Sequence, residues 1–186
     1  MKATASNVKA CFADRSVVRT ANAGTPSRWA PALIAVAAAV EADVDELVPL
    51  VEAYRNFYAQ APAVEATFSF VRARLRDGAT HYLVARLDGR IIGFAHLLPT
   101  FDTLRLERVW VLEDLFVVES ARRLGVASAL LRYVEQCARA TGATRISLTT
   151  AHENFAAQAL YVSHGYDHDL VFRAYHRVLE ADDTKH

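Results

Sequence analysis

The stretch Leu112–Leu131, LEDLFVVESARRLGVASALL, constrains the fold of this chain more than any other. The apolar run Leu115–Val118 predicts a strand, Glu119–Arg123 a short polar turn, and from Val126 apolar residues recur at three and four, the helical period. A strand delivered so directly to a helix makes an anion site, because the first-turn N–H groups lack intrahelical acceptors and point outward. Gly125 and Ala127 admit a phosphate close to the backbone, and Arg122 and Arg123 add positive charge. The turn therefore reads as a cradle for the pyrophosphate of a nucleotide-containing cofactor. A small-residue turn that only packs a helix on a sheet has the same composition, so a second motif is needed to decide.

The rest of the chain supplies the elements around that unit. Residues 1–30 are polar and mixed and predict a flexible extension; residues 31–182 predict one domain. Leu33–Val36 suggests a first strand. Asp43 and Asp45 open a helix whose Leu47, Leu50, Val51, Tyr54, Phe57 and Tyr58 recur at helical spacing, with Pro49 marking either its start or a kink. Its three aromatics are either core or, through one phenol, a substrate wall; Tyr54 is the candidate. A second helix spans about Val64–Asp77, with Phe68, Val71 and Leu75 inward. His81–Leu87 and Arg90–Leu98 flank Asp88-Gly89 as a hairpin, which Pro99 ends before a loop over Thr100–Leu104. A strand from about Leu106 to Val118 is long enough to hold a bulge. After the turn come a helix with the stripe Val126, Ala127, Leu130, Leu131, Val134, Cys137 and Ala138, a stop at Gly142, a strand Ile146–Thr150, and a helix from about Glu153 to His164. Tyr166–Leu179 predicts one or two closing strands. The sum is an α/β (α+β) mixed sheet with helices on its faces.

Composition excludes several classes. The 186 residues carry no net charge, against a general nucleic-acid binder. The Ala-rich run Ala30–Val40 is too short to span a bilayer and no secretory signal opens the chain, so the expectation is a cytoplasmic protein without membrane partners. Cys11 and Cys137 have no metal-ligand spacing and suggest no disulfide framework; Cys137 reads as a packed core thiol. The seven histidines show no paired spacing, so no metal is expected.

The second motif lies in the last helix. Asn154 and Tyr161 are two turns apart, about 10.5 Å along the axis, at nearly the same azimuth. A cofactor lying along that face meets an amide and then a phenol. Arg122-Arg123-Leu124-Gly125-Val126-Ala127 resembles the Q/R-x-x-G-x-G/A motif of the GNAT superfamily of N-acetyltransferases. Asn154-Phe155-Ala156-Ala157-Gln158-Ala159-Leu160-Tyr161 with Gly165-Tyr166 resembles that superfamily's N…A…LY…GF segment. Leu112-Glu113-Asp114-Leu115-Phe116-Val117 is similar to the LEDFFV segment of its diamine and thialysine acetyltransferases, and Tyr54–Tyr58 with Ala157–Tyr161 to bacterial relatives of the yeast histone and D-amino-acid acetyltransferases. Ala127 stands for the second glycine, and Arg123 where glycine is frequent.

The resemblance implies a mostly antiparallel central sheet, helices on both faces, and a splay between the fourth and fifth strands. It implies direct transfer of acetyl from acetyl-CoA, a co-substrate, to an amine in a ternary complex. An alkyl ammonium, with a pKa of about 10.4, must first lose a proton. By the match, Glu113 is the candidate base, acting through water, with Asp114 its rival; strand alternation turns only one of them to a given face unless a bulge intervenes. Backbone around Leu115, Phe116 and Val117 is implied to polarise the thioester, the turn Arg122–Ser128 (Arg122, Arg123, Leu124, Gly125, Val126, Ala127 and Ser128) to hold the pyrophosphate, Asn154 to touch the pantetheine arm, and Tyr161 to protonate the leaving thiolate. Tyr54, Glu113 and Asp114 are the acceptor candidates. The expected acceptor is a small-molecule amine, a polyamine or an amino acid. A protein lysine or N-terminus is the alternative, a catalytically silent CoA-binding module a third, and a homodimer the expected assembly.

Overall fold

The computed structural model describes residues 34–179; the extension 1–30, Leu33 and Cys11 lie outside the described residues. Two compact units divide after Ala151. The first carries a five-stranded sheet, β1 (Ala35–Ala38), β2 (His81–Leu87), β3 (Arg90–Asp102), β4 (Glu107–Val117) and β5 (Arg145–Leu148), in that spatial order. All pairs are antiparallel except β4–β5, which is parallel. Helix α1 (Val44–Phe57) and α2 (Val64–Asp77) precede β2, and α3 (Val126–Ala140) joins β4 to β5. The second unit contains α4 (Phe155–Ser163).

Alternation along the strands gives the sheet two unlike faces. Tyr82, Val84, Phe94 and Phe116 look toward α1 and α2, forming a core with Val44, Leu47, Val48 and Val71. Gly93, on the opposite face, lies against Val126 of α3, whose Leu130, Leu131 and Val134 are fully buried. The α1–α2 pair is fastened by Glu52, which accepts from the Ala63 amide at 2.9 Å and from the Thr67 hydroxyl. That junction sets where Phe70 and Arg74 of α2 stand.

The local signals that specify unusual backbone hold. Asp88 and Gly89 both have positive φ, 51° and 82°, as a two-residue type I′ hairpin requires. α2 has the expected bounds and stops at left-handed Gly78, φ 66°. Five expectations need correction. The first strand lies at Ala35–Ala38, because pairing with Leu83–Arg86, not its Ala-rich sequence, fixes it. Of the two readings of Pro49 the start is excluded: α1 begins at Val44 and runs through the proline with one ladder donor missing. β3 does not end at Pro99 but continues to Asp102, Pro99 standing opposite Trp110, so Thr100–Asp102 is strand. No closing strand forms among the described residues of 166–179: Leu170, Val171, Tyr175 and Val178 are more than 80% exposed, and a strand without a ladder partner does not persist. Cys137 is buried on its stripe, but is disulfide-bonded rather than a free thiol.

Candidate active site

A β-bulge sets the geometry. β3 and β4 pair Phe94 with Phe116, Ala95 with Leu115 and His96 with Asp114, and then Leu97 with Leu112, so Glu113 has no partner. The extra residue bends the strand and re-aims its neighbours. Glu113 and Asp114, which strict alternation would send to opposite faces, thereby line one cavity of about 340 Å³ together with Phe70, Arg74, His96 and Leu98. The cavity is small, at the lower end of the size range of small-molecule sites.

His96, only 7% exposed, places Nδ1 3.1 Å from Asp114 Oδ2 and stacks on the Tyr82 ring at 4.2 Å and 7°. A carboxylate only accepts, so Nδ1 carries the hydrogen and donates it. This bond fixes the orientation of Asp114. His96 Nε2 is buried and makes no hydrogen bond. Burial, and secondarily the Asp114 charge, push the Tyr82 phenol up, so it stays protonated as the flat support of His96. Burial, and secondarily His96, push His81 down to about 4. His96 is the site residue that sequence reasoning missed. Its signal was a lone polar residue in the apolar strand IIGFAHLL, where burial without a partner is costly.

The cofactor-side candidates follow along β4. β5 pairs only with Val109–Leu112, so β4 runs on through Leu115, Phe116 and Val117 with β3 on one side and, among the described residues, no strand on the other. The sheet thus opens between the fourth and fifth strands. Val118 then donates to Ile92 O at 3.0 Å, and Arg122 Nε reaches back to Val117 O at 3.4 Å. Two residues of the turn are left-handed, Arg123 with φ 63° and Gly125 with φ 84°. Arg123 therefore holds, at a cost of about 1–2 kcal/mol, a conformation that glycine adopts freely. No side chain caps α3, and its first intrahelical bond is from Ala129 N to Gly125 O, 2.9 Å. The amides of Val126 and Ala127 precede that bond, in the first turn where the helix supplies no acceptor. A Cβ on Gly125 would meet nothing within 4 Å, and Arg122, Arg123 and Leu124 are exposed. An uncapped helix start beside open backbone and two guanidinium groups fits the pyrophosphate of acetyl-CoA.

In the second unit, Asn154 is the N-cap of α4, its Oδ1 accepting from Ala157 N at 3.2 Å. Tyr161, one face along the same helix, is half-buried with its ring 5.8 Å from that of Tyr166. Tyr54 does not line the acidic cavity. It packs edge-on at 6.0 Å against both Phe94 and Phe116, one row along the sheet, which makes it a wall of the core. Among the described residues no group of three or more His, Cys, Asp or Glu could hold a metal ion, and no helix is long and apolar enough to cross a membrane.

The mixed sheet that opens beside a glycine turn and a helix start agrees with the fold that the motif resemblance implies. The chain belongs to the Acetyltransferase (GNAT) family, which matches residues 45–166. It is 38% identical over 133 residues to the uncharacterized N-acetyltransferase YhfO of Bacillus subtilis (strain 168), covering 72% of this chain and 89% of that protein. It is 37% identical over 83 residues to the D-amino-acid N-acetyltransferase HPA3 of Saccharomyces cerevisiae, covering 45% of this chain and 52% of that one. The crystal structure of a probable acetyltransferase superposes with a TM-score of 0.74 at 36% identity, over 79% of this chain and 99% of its own. The protein is an N-acetyltransferase, and its family implies acetyl-CoA as co-substrate.

Proposed function

We propose that the enzyme moves acetyl from acetyl-CoA to a primary amine of a small molecule, a polyamine or an amino acid, by direct attack in a ternary complex. The observation that carries this reading is the bulge that turns Glu113 and Asp114 into one small cavity with Arg74 and His96. Two carboxylates attract an ammonium, and Glu113, exposed and outside the ladder, takes its proton through water. Backbone N–H around Leu115–Val117, at the opening of the sheet, stabilises charge developing on the thioester oxygen. The turn Arg122–Ser128 holds the pyrophosphate and Asn154 meets the pantetheine arm. Tyr161, by its motif match, returns a proton to the leaving thiolate. The similarity to HPA3, whose name specifies an amino-acid substrate, favours a small acceptor over a peptide.

The test is release of CoA thiol across an amine panel with wild type, Glu113→Gln and Tyr161→Phe. General acid–base roles predict losses in kcat of about 10²- to 10⁴-fold for each variant. Unchanged turnover in Tyr161→Phe removes the acid role, and unchanged turnover in Glu113→Gln removes the base. A wild type that fails to bind acetyl-CoA removes the whole reading.

A further inference from the structure

We propose that the acceptor is a zwitterion, a small amino acid whose ammonium is held by Glu113 and Asp114 and whose carboxylate is held by Arg74. The inference rests on reading the bulge cavity as the acceptor site and specifies its substrate class. The two walls of the cavity carry opposite charge: the carboxylates stand on β4, and Arg74 on α2. Arg74 is only partly committed. Its Nη2 contacts Asp77 at 2.7 Å and its guanidinium lies 5.5 Å from the centre of the Phe70 ring, yet its Nε is buried without a hydrogen-bond partner. A guanidinium presents five N–H groups in a rigid fork shaped for a carboxylate, and an unpaired buried donor is costly until a ligand supplies an acceptor. His96 also lines this cavity, its side chain 9% exposed and its Nε2 buried without a partner. Its Nδ1 bond meanwhile holds one oxygen of Asp114, so the carboxylate pair is oriented before any ligand arrives.

Charge then selects among amines. A polyamine that places one ammonium at Glu113 and Asp114 brings its next cation toward Arg74, whereas an amino acid brings a carboxylate there. A dicarboxylate is opposed by the β4 pair. Like-charge juxtaposition rejects the wrong partners, and opposite charge fixes the orientation of the right one. The acyl transfer itself is balanced: the ammonium gives one proton to Glu113 through water, the nitrogen forms the new C–N bond as the C–S bond breaks, and the second proton lost by nitrogen is matched by the one the thiolate gains.

The experiment compares kcat/KM for alanine, alaninamide and ethylamine, and for lysine and cadaverine, in wild type, Arg74→Met and Arg74→Glu. Arg74 is half-exposed and its ion pair is on the surface, so these variants fold; a thermal melt and acetyl-CoA binding verify that. Wild type is expected to prefer the acid over its amide, and lysine over cadaverine, by at least about 10-fold, the worth of one charge-assisted hydrogen bond. Arg74→Met brings both ratios close to one through KM rather than kcat, and Arg74→Glu inverts the second in favour of the diamine. Equal use of acid and amide by wild type, or equal slowing of acid and amide in Arg74→Met, overturns the assignment while leaving acetyl transfer intact. No thiol release with any amine overturns the acceptor-site reading beneath it.

Discussion

Gly93→Ala tests whether the opening of β4 and the start of α3 are one packed unit. Gly93 stands opposite Val117 on the face covered by α3. A Cβ there would lie 2.8 Å from the Phe116 carbonyl oxygen and 3.2 Å from both Val117 Cγ2 and Val126 Cγ1. The two methyl contacts are relieved by small rotations. The carbonyl is not, because its peptide is held by the β3–β4 ladder and by the adjoining bond from Val118 N to Ile92 O at 3.0 Å. Ordinary contact requires that backbone to move by about 0.5 Å, against a close-packed interior. Such overpacking costs ~1–3 kcal/mol, and the lower entropy of unfolded alanine returns ~0.5–1 kcal/mol. The net expectation is a loss of ~1 kcal/mol, or a fall in Tm of about 2–4 °C for a chain of this size. The displaced groups are those proposed to face acetyl-CoA, so its Kd should weaken by about 10-fold, an energy similar to one lost hydrogen bond. Urea denaturation and titration calorimetry measure the two effects. Stability within about 0.5 kcal/mol of wild type would show that the close approach is not felt, and a destabilised variant with unchanged acetyl-CoA affinity would separate Gly93 from the cofactor side.

Gly125→Ala makes a contrasting case, since its Cβ meets nothing within 4 Å and only φ 84° opposes it. It should cost ~1–2 kcal/mol and raise KM for acetyl-CoA by distorting the turn; an unchanged Tm would show the turn relaxing. Arg123→Gly, at φ 63°, should run the other way in stability, gaining ~0.5 kcal/mol after the entropy of unfolded glycine is subtracted, while losing acetyl-CoA affinity with its charge. His81, held near about 4 against an ordinary 6.5 by burial first and His96 second, gives an acid-sensitive contribution. Between pH 6.5 and 4 the unfolded chain binds a proton that the folded chain refuses, so stability is full above 6.5 and lost as pH falls toward 4. The full shift corresponds to ~3 kcal/mol, and partial exposure reduces that to ~2 kcal/mol. Urea melts of wild type and His81→Gln at pH 7 and pH 4.5 should converge in acid by about that amount, and parallel losses would exclude His81 as the source.

What is legible in the sequence is what short-range physics decides. Asp88-Gly89 specifies a turn that few other dipeptides can make, and the apolar spacing of α2 with Gly78 beyond it sets both of its ends. The turn before α3 is legible for the same reason, because only a narrow set of residues tolerates its left-handed positions. Partners across the sheet are not legible. Pro99 reads as a terminator locally, yet Trp110 opposite it carries the ladder past. His96 joins the site only because Tyr82 on β2 and Asp114 on β4 fall in register beside it, and that register depends on a shift located by no residue motif. The tail has strand-like composition but, among the described residues, no strand to pair with.

The bulge is required by the core as much as by the chemistry. If β4 continued in strict alternation from the Leu97–Leu112 pair, Glu113 would face His96, Asp114 would face Ala95, and Phe116 would face Gly93. A one-residue slip exchanges the faces of every following side chain. Asp114 would then enter the apolar side covered by α3, and Phe116 would leave the aromatic row of Phe94 and Tyr54 to collide with Val126 at the one strand position built for no side chain. Burying that carboxylate and emptying the Phe116 position would each cost several kcal/mol. The extra residue at 113 resolves both at once. It returns Phe116 to the core, puts Asp114 beside His96, and leaves Glu113 outside the ladder at the cavity wall. The acidic pair is therefore held in place by the packing of a phenylalanine two residues away, and the hydrophobic pattern of β4 enforces the geometry of the site.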